Sequence, residues 1–139
     1  MEIILAENHG FCYGVKRAVE MANEAAEGKG KSYTLGPIIH NPQVVGRLES
    51  KGVSPIQEVA DIDEGTMIIR SHGVGPAIYA EAEEKGLHIL DATCPHVKKA
   101  QQDAKSVIED GMTLVILGEK NHPEVKSINL WANNKGIII

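Results

Sequence analysis

The chain has little cysteine, no basic tract and no long apolar segment. Its 139 residues carry a net charge of −5, and this acidity without a basic tract argues against nucleic acid as the main partner. No apolar run approaches the roughly 20 residues that a membrane-spanning helix needs. The start of the chain has neither the charged region nor the apolar core of a signal peptide. Two distant cysteines fit reduced thiols in the cytoplasm, although a single structural disulfide remains an alternative. We therefore expect a cytoplasmic protein that binds neither membrane nor nucleic acid.

What the sequence does contain is a regular alternation of short apolar runs and amphipathic segments, with 42% hydrophobic residues. Such alternation predicts an α/β protein with parallel sheets, right-handed crossovers and strands buried on both faces. Strands are predicted at residues 3–5, 32–35, 66–69, 87–90, 113–117 and 137–139. Helices are predicted after Cys12 and from Pro42, Pro76, Pro95 and Pro123. The polar residues 54–65 are predicted to be a connection.

Two spacings indicate an internal duplication. Cys12 and Cys94 are 82 residues apart, and so are His40 and His122. Each cysteine and each histidine falls between a predicted strand and a predicted helix. The repeated unit would therefore be strand, cysteine loop, helix, strand, histidine loop and helix.

Five polar residues occupy loops that leave a strand and enter a helix. They are Cys12, His40, His72, Cys94 and His122. Because the carboxyl ends of parallel strands meet at one edge of a sheet, we expect these residues to gather there. Helix N-termini and glycine-rich loops with histidines suit a phosphate or diphosphate anion, and a thiolate is also favoured at a helix N-terminus.

Glu124, in the first turn of the last helix, is a candidate proton donor to a substrate held over the histidines. It also has a simpler interpretation, because a carboxylate complements the helix dipole at this position. Either cysteine alone is more typical of a small buried apolar residue than of a functional thiol, and a single histidine is as typical of a helix cap as of a functional site. The shared context of the five residues favours function.

Two metal interpretations remain open from the residues alone. Zinc bound by both cysteines and two histidines is possible, although no C-x2-C pair supports it. An iron–sulfur cluster takes three or four thiolates, and the chain has two. The duplication suggests a third cysteine unit about a hundred residues further on, which would leave one iron open to substrate.

Five motifs resemble, in order, those of the 4-hydroxy-3-methylbut-2-enyl diphosphate reductase (LytB/IspH) family. They are GFCYGVKRA (10–18), GPIIHN (36–41), IRSHGV (69–74), DATCP (91–95) and HPEV (122–125). The resemblance covers essentially the whole chain. It implies three α/β lobes with pseudo-threefold symmetry around an iron–sulfur cluster. Residues 1–94 would form the first lobe, with the initial strand assigned either to this lobe or to another part of the full protein, and 95–139 an incomplete second lobe. The third lobe would be absent, and the chain, which ends inside an apolar run, would be a fragment.

The resemblance also implies site roles. Cys12 and Cys94 match two of three cysteines that hold a 4Fe–4S cluster with one iron not ligated by cysteine. His40, His72 and His122 match the residues that bind the substrate diphosphate, and Glu124 matches the residue that delivers protons.

The implied reaction is the last step of the methylerythritol phosphate route to isoprenoids. Two electrons from ferredoxin or flavodoxin and two protons remove the substrate hydroxyl as water, which gives isopentenyl and dimethylallyl diphosphate. The alternatives are a diphosphate-binding module without redox chemistry and a zinc hydrolase that uses the same cysteines and histidines.

Overall fold

The computed structural model describes residues 2–7, 9–28 and 30–139, and these form alternating helices and strands. The helices are α1 (Tyr13–Glu27), α2 (Pro42–Ser50), α3 (Pro76–Glu84), α4 (Pro95–Glu109) and α5 (Pro123–Trp131). The strands are β1 (Ser32–Leu35), β2 (Val53–Ile56), β3 (Thr66–Ile69), β4 (His88–Asp91), β5 (Val115–Ile116) and β6 (Ile137–Ile138). The predicted α/β class is confirmed. Within the described residues, no helix is both long and apolar enough to cross a membrane.

Every strand pairing is parallel. The first sheet has the order β2-β1-β3-β4, and its register places Ser32 beside Val53 on one side and beside Thr66 on the other. Thr66 in turn lies beside His88. The second sheet contains β5 and β6. Because the four strands of the first sheet point the same way, the loops that leave them begin at the same edge of the sheet.

The first sheet is covered on both faces, and β3 shows how the sequence achieves this. Ile68 packs in a cluster with residues of α1 and α2, including Ala18 and Leu48. Its neighbours Met67 and Ile69 pack in a second cluster with residues of the 3₁₀ turn at Val59–Asp61 and of α3. The three β3 side chains are 0% exposed. Alternation along the strand therefore supplies apolar side chains to both layers, as expected for a central parallel strand.

The helix starts follow a common chemical rule. Helices α2 to α5 each begin with proline, and Asn41 caps α2 by accepting a hydrogen bond from the N–H of Val44 at 3.0 Å. Proline has no N–H to leave unsatisfied in the first turn, and its fixed φ suits a helix. The predicted helix starts at these four positions are therefore confirmed.

The predicted strand at residues 3–5 is wrong. Residues 2–6 form no strand, and the side chains of Ile3, Ile4 and Leu5 are 73%, 84% and 74% exposed. A strand needs a partner for its backbone hydrogen bonds, and no described strand pairs with this segment. The apolar composition of residues 3–5 alone is therefore insufficient to form a strand.

The predicted connection at residues 54–65 is also wrong, because it contains most of β2 and the 3₁₀ turn. Ser54 and Pro55 give this segment the composition of a turn. However, β2 is an edge strand with Val53 and Ile56 buried, and proline is tolerated at an edge, where one side of the strand needs no ladder hydrogen bond.

Two strands are less buried than predicted. β4 lies at the other edge of the first sheet, with His88 exposed and the next three residues half-buried. β5 has two residues instead of the predicted five, and Val115 and Leu117 are 53% and 86% exposed. Within the described residues, β4 and β5 each pair with a strand on one side only. The predicted burial therefore holds for the central strands β1 and β3 but not for β4 and β5.

Candidate functional site

Three histidines meet at the loop edge of the sheet. The ring centroids of His40 and His72 are 4.6 Å apart, those of His72 and His122 are 5.7 Å apart, and those of His40 and His122 are 6.2 Å apart. They come from the loops that follow β1, β3 and β5. The predicted gathering of strand-end residues is therefore observed for the histidines, across both sheets.

The His40 loop is held by its neighbours. Ile38 and Ile39 are buried at 1% and 3% exposure, and the N–H of Asn41 donates to the carbonyl of Ile39 at 2.9 Å. The Asn41 side chain then caps α2. His40 itself is exposed, so the loop anchors the backbone while the imidazole stays accessible to a ligand.

The His72 loop requires a glycine. Gly73 has φ +71°, and its N–H donates to the carbonyl of Arg70 at 3.0 Å. A Cβ at this position would collide with Nε2 of Gln101 and would lie 3.0 Å from Cγ2 of Thr93. Both the backbone conformation and the close approach of α4 therefore exclude a larger residue.

Two buried polar side chains, which the sequence did not single out, support this loop. The hydroxyl of Ser127 donates to the carbonyl of His72 at 2.8 Å, and Nε2 of Gln101 donates to that hydroxyl at 3.3 Å. Gln101 and Ser127 are 1% and 2% exposed. The signal was present, because Gln101 lies on the buried face of α4 with Val97 and Ala104, where a polar residue needs a partner.

The His122 ring is fixed in one tautomer by its helix. Its Nδ1 accepts a hydrogen bond from the N–H of Glu124 at 3.3 Å and so caps α5. In the neutral ring the proton must then lie on Nε2, which can donate to an acceptor. Binding a metal through Nε2 would require loss of that proton, whereas binding an anion uses it. The cap therefore favours an anion over a cation at His122.

His72 is held neutral. Burial, together with the positive charges of His40, Arg70 and His122, lowers the pKa of His72 to about 4. Its Nδ1 is buried and has no hydrogen-bond partner among the described residues. A buried polar atom without a partner is costly, and a negatively charged ligand would both satisfy it and reverse the electrostatic penalty.

The two cysteines precede two different helices and reach one cavity. Cys12 is the exposed residue before α1, and Cys94 is the half-buried residue before α4. Both are free thiols. A cavity of about 220 Å³ is lined by both cysteines together with His72 and Glu124. A neighbouring cavity of about 230 Å³ is lined by His40 and again His72. Five of the six predicted site residues thus line one of two adjacent cavities. The sixth, His122, lines neither, but its ring lies beside those of His40 and His72.

The Cys94 loop is fixed from two sides. The N–H of Cys94 donates to the carbonyl of Ser71 at 2.9 Å, and the guanidinium of Arg17 donates to the carbonyl of Thr93 at 3.2 Å. Gly14 allows the close approach of α1, since a Cβ there would lie 2.5 Å from Sγ of Cys94. The helix that follows Cys12 therefore packs directly against Cys94.

Asp91, at the end of β4, completes the support. Its carboxylate accepts from the N–H of Thr93 at 3.0 Å and from the hydroxyl of Tyr79 at 3.1 Å, and it also pairs with Lys98. Burial alone would raise the pKa of Asp91, but the hydrogen bonds from Lys98 and Thr93 hold it below its usual range. Burial raises the pKa of Tyr79 to about 12, so its hydroxyl stays a donor to the carboxylate at neutral pH.

The donor set limits which metal groups fit. Two thiols at one cavity fit an iron–sulfur cluster that takes its remaining thiolates from elsewhere. Zinc held by both cysteines and two histidines does not fit, because the compact group among the described residues is His40, His72 and His122, with ligand atoms within 4.8 Å of one another. The zinc alternative in its mixed cysteine–histidine form is therefore not supported.

The fold and the site define a class: a parallel α/β protein in which strand-end loops bring three imidazoles together beside a cavity lined by two thiols. The chain belongs to the LytB protein family, whose model matches residues 3–139. It is 51% identical over 139 residues to the 4-hydroxy-3-methylbut-2-enyl diphosphate reductase of Geotalea uraniireducens (strain Rf4). It is 52% identical over the same length to the reductase of that name from Geobacter metallireducens.

Solved structures agree with these relatives. One, of (E)-4-hydroxy-3-methyl-but-2-enyl diphosphate reductase, matches with a TM-score of 0.85 and 48% identity over 99% of this chain and 50% of that chain. Another, of the corresponding Plasmodium falciparum reductase, matches with a TM-score of 0.91 and 32% identity over 96% of this chain and 42% of that chain. The match to each of the two curated relatives named above includes the whole of this chain but 49% of the relative, so the chain spans about half of their length.

Proposed function

We propose that this chain supplies the diphosphate-binding histidines and two cluster cysteines of a 4-hydroxy-3-methylbut-2-enyl diphosphate reductase. The reaction takes two electrons and two protons, breaks the C–O bond of the allylic hydroxyl and releases water. Its products are isopentenyl and dimethylallyl diphosphate. The observation that carries the proposal is the histidine cluster beside a cavity shared by two thiols and a carboxylate.

The histidines suit the diphosphate end of such a substrate. His122 carries its proton on Nε2, and His72 has an unsatisfied buried Nδ1. Three imidazoles within 6.2 Å repel one another when protonated, and a diphosphate removes that repulsion. The cluster therefore binds a multiply charged anion better than a neutral molecule, and binding draws protons onto the rings.

Glu124 is proposed to hold and deliver a proton. It is half-buried and lines the cavity that contains both cysteines and His72. Its backbone N–H fixes the His122 ring, so the same turn of α5 positions a proton donor and an anion ligand. A carboxyl group at this place can protonate a leaving hydroxyl or an allylic carbon held above the diphosphate.

Cys12 and Cys94 are the residues that would hold a 4Fe–4S cluster, with one iron not ligated by cysteine. When bound, the cluster supplies electrons and a Lewis-acidic iron for the substrate hydroxyl. Ferredoxin or flavodoxin is the proposed electron donor, and the cytoplasm the proposed compartment. We further propose that residues 1–94 form one lobe and that 95–139 form part of a second.

A second candidate function is a diphosphate-binding module without redox chemistry. It is favoured by one observation: the histidine cluster is complete within the chain, whereas the thiol count is below that of a cluster. The two functions share the anion site and differ in the metal group, so one pair of measurements separates them.

The first measurement is calorimetric titration with inorganic pyrophosphate, with His40→Asn as the variant and the distant His88→Asn as the control. We expect His40→Asn to weaken binding at least tenfold and His88→Asn to leave it unchanged. The second is iron and acid-labile sulfide after anaerobic reconstitution, compared with Cys94→Ser.

Pyrophosphate binding together with cluster iron that Cys94→Ser removes supports the reductase. Pyrophosphate binding with no cysteine-dependent iron supports the binding module. Absence of pyrophosphate binding would overturn both.

A further inference from the structure

A cavity of about 370 Å³ lies beside the His72 loop but shares no lining residue with the two cavities of the candidate site. The loop separates them: its flanking residues Arg70 and Gly73 line this cavity, whereas the two residues between them, Ser71 and His72, line the others. On α5, Pro123 faces this cavity and Glu124 the cysteine cavity. The loop thus has a different cavity on each side.

The charge of this cavity is of one sign. Arg70, from the end of β3, and Lys126, from α5, both line it, and the described lining residues include no aspartate or glutamate. Neither cation forms an ion pair within 4.0 Å in the part of the chain that the structure describes. This is unusual in a protein of net charge −5, where carboxylates outnumber cations.

Arg70 is held in place without being satisfied. Its guanidinium lies over Gly36, where an added Cβ would be 2.8 Å from Nη1, and its Nε is buried with no hydrogen-bond partner among the described residues. Arg70 is half-buried, so its charge is partly removed from water, and this burial lowers its pKa. A desolvated cation with an unused donor is costly unless an anion completes it.

Much of the remaining wall is apolar, and Gln57, Asn121 and Ser127 are its uncharged polar members. Leu35, Val74, Ile78 and Leu130 contribute to it, and Gly75 lets α5 approach so closely that a Cβ there would be 2.8 Å from Leu130. A volume of about 370 Å³ with few polar groups and an apolar wall is of the size that holds a small organic molecule. The cations select the head of such a molecule, and the wall suits a short carbon chain.

We propose that this cavity is a second anion-binding site, separate from the histidine cluster, for a small molecule that carries a phosphate or carboxylate group on a short apolar chain. The proposal does not rest on the reductase reaction, because neither of its two cations, Arg70 and Lys126, is assigned a part in that reaction.

The test uses the ¹⁵N-labelled chain and follows the Nε–H resonance of Arg70 by NMR during titration with butyl phosphate, butyrate and inorganic phosphate. We expect the Arg70 Nε–H and the amides of Gly73 and Gly75 to shift with butyl phosphate or butyrate. The butyl chain should make butyl phosphate bind about tenfold more tightly than inorganic phosphate. The tighter of butyl phosphate and butyrate identifies the preferred head group.

Variants separate this site from its neighbour. Lys126→Gln, an exposed position, should weaken binding at least tenfold, whereas Lys135→Gln, an exposed lysine outside the cavity lining, should not. His40→Asn should leave the Arg70 shift intact, which excludes the histidine cluster as the source. The proposal is overturned if Arg70 Nε–H does not respond to either organic anion, or if Lys126→Gln binds as tightly as the unchanged chain.

Discussion

The contact between α1 and Cys94 gives a sharp prediction for Gly14→Ala. The added Cβ would lie 2.5 Å from Sγ and 2.9 Å from Cβ of Cys94. Since carbon atoms in van der Waals contact are about 3.5–4.0 Å apart, the thiol or the helix must move by about 1 Å. Forcing an extra methyl group into such a contact costs about 1–3 kcal/mol.

A matched control exists in the same chain. Gly46 lies inside α2, is exposed, and would place a Cβ with nothing within 4 Å. Gly46→Ala should therefore stabilise the protein by up to about 1 kcal/mol through helix propensity alone. Gly14→Ala gains no more than this and loses the packing term, so the two free energies of unfolding should differ by about 1–3 kcal/mol.

The assay is urea unfolding in reducing buffer, followed by circular dichroism, together with iron and sulfide content after anaerobic reconstitution. We expect Gly14→Ala to be the less stable variant and to hold less iron, because Cys94 is displaced from the cavity that it shares with Cys12. Equal stability and equal iron content in the two variants would refute the reasoning, since both readouts depend on the same close contact.

Three further predictions follow from the site. Burial lowers the pKa of His72 from 6.5 to about 4, so as the pH falls the unfolded chain binds the His72 proton before the folded chain does. The free energy of unfolding should therefore fall as the pH drops from 6.5 towards 4. Urea titrations at several pH values should show that His72→Gln flattens this dependence. A slope that survives in the variant would assign it to another group. Ser127→Ala removes the hydrogen bond to the His72 carbonyl and should lower the free energy of unfolding by about 1 kcal/mol. The control Ser106→Ala, at an exposed position, should lower it by almost nothing. Similar losses of stability in the two variants would contradict a contribution from the buried hydrogen bond. Glu124→Gln removes the carboxyl group but keeps the backbone N–H that donates to Nδ1 of His122. It should therefore lower reductase turnover in reconstituted protein while leaving the pyrophosphate affinity within about twofold. A matching loss of affinity would indicate an anion-binding role for Glu124 instead.

Much of this architecture could be predicted from the sequence because its signals are local. Pro42, Pro76, Pro95 and Pro123 mark helix starts whose chemistry depends on a single residue. The meeting of His40 and His72 follows from one topological rule, that strand-end loops of one parallel sheet share an edge, whereas His122 follows a strand of the second sheet.

What could not be predicted depends on partners. The sequence cannot show that β2 occupies an edge, where Pro55 is harmless, or that residues 3–5 have no neighbouring strand among those described. The support of the His72 loop by Gln101 and Ser127 is a contact between two helices, and neither residue belongs to a motif. The cavity at Arg70 is likewise assembled by α5, far away in sequence.

The order of the strands along the chain has a consequence for synthesis on the ribosome. All four strands of the first sheet, and the three helices that cover it, lie before Cys94. At translation rates of about 5–20 residues per second, this layer has on the order of seconds to form before α5 emerges. His40 and His72 would then already be close together, and His122 would dock onto a prepared surface. His122, the last of the three histidines to be synthesised, would thus complete the cluster without further movement of the other two.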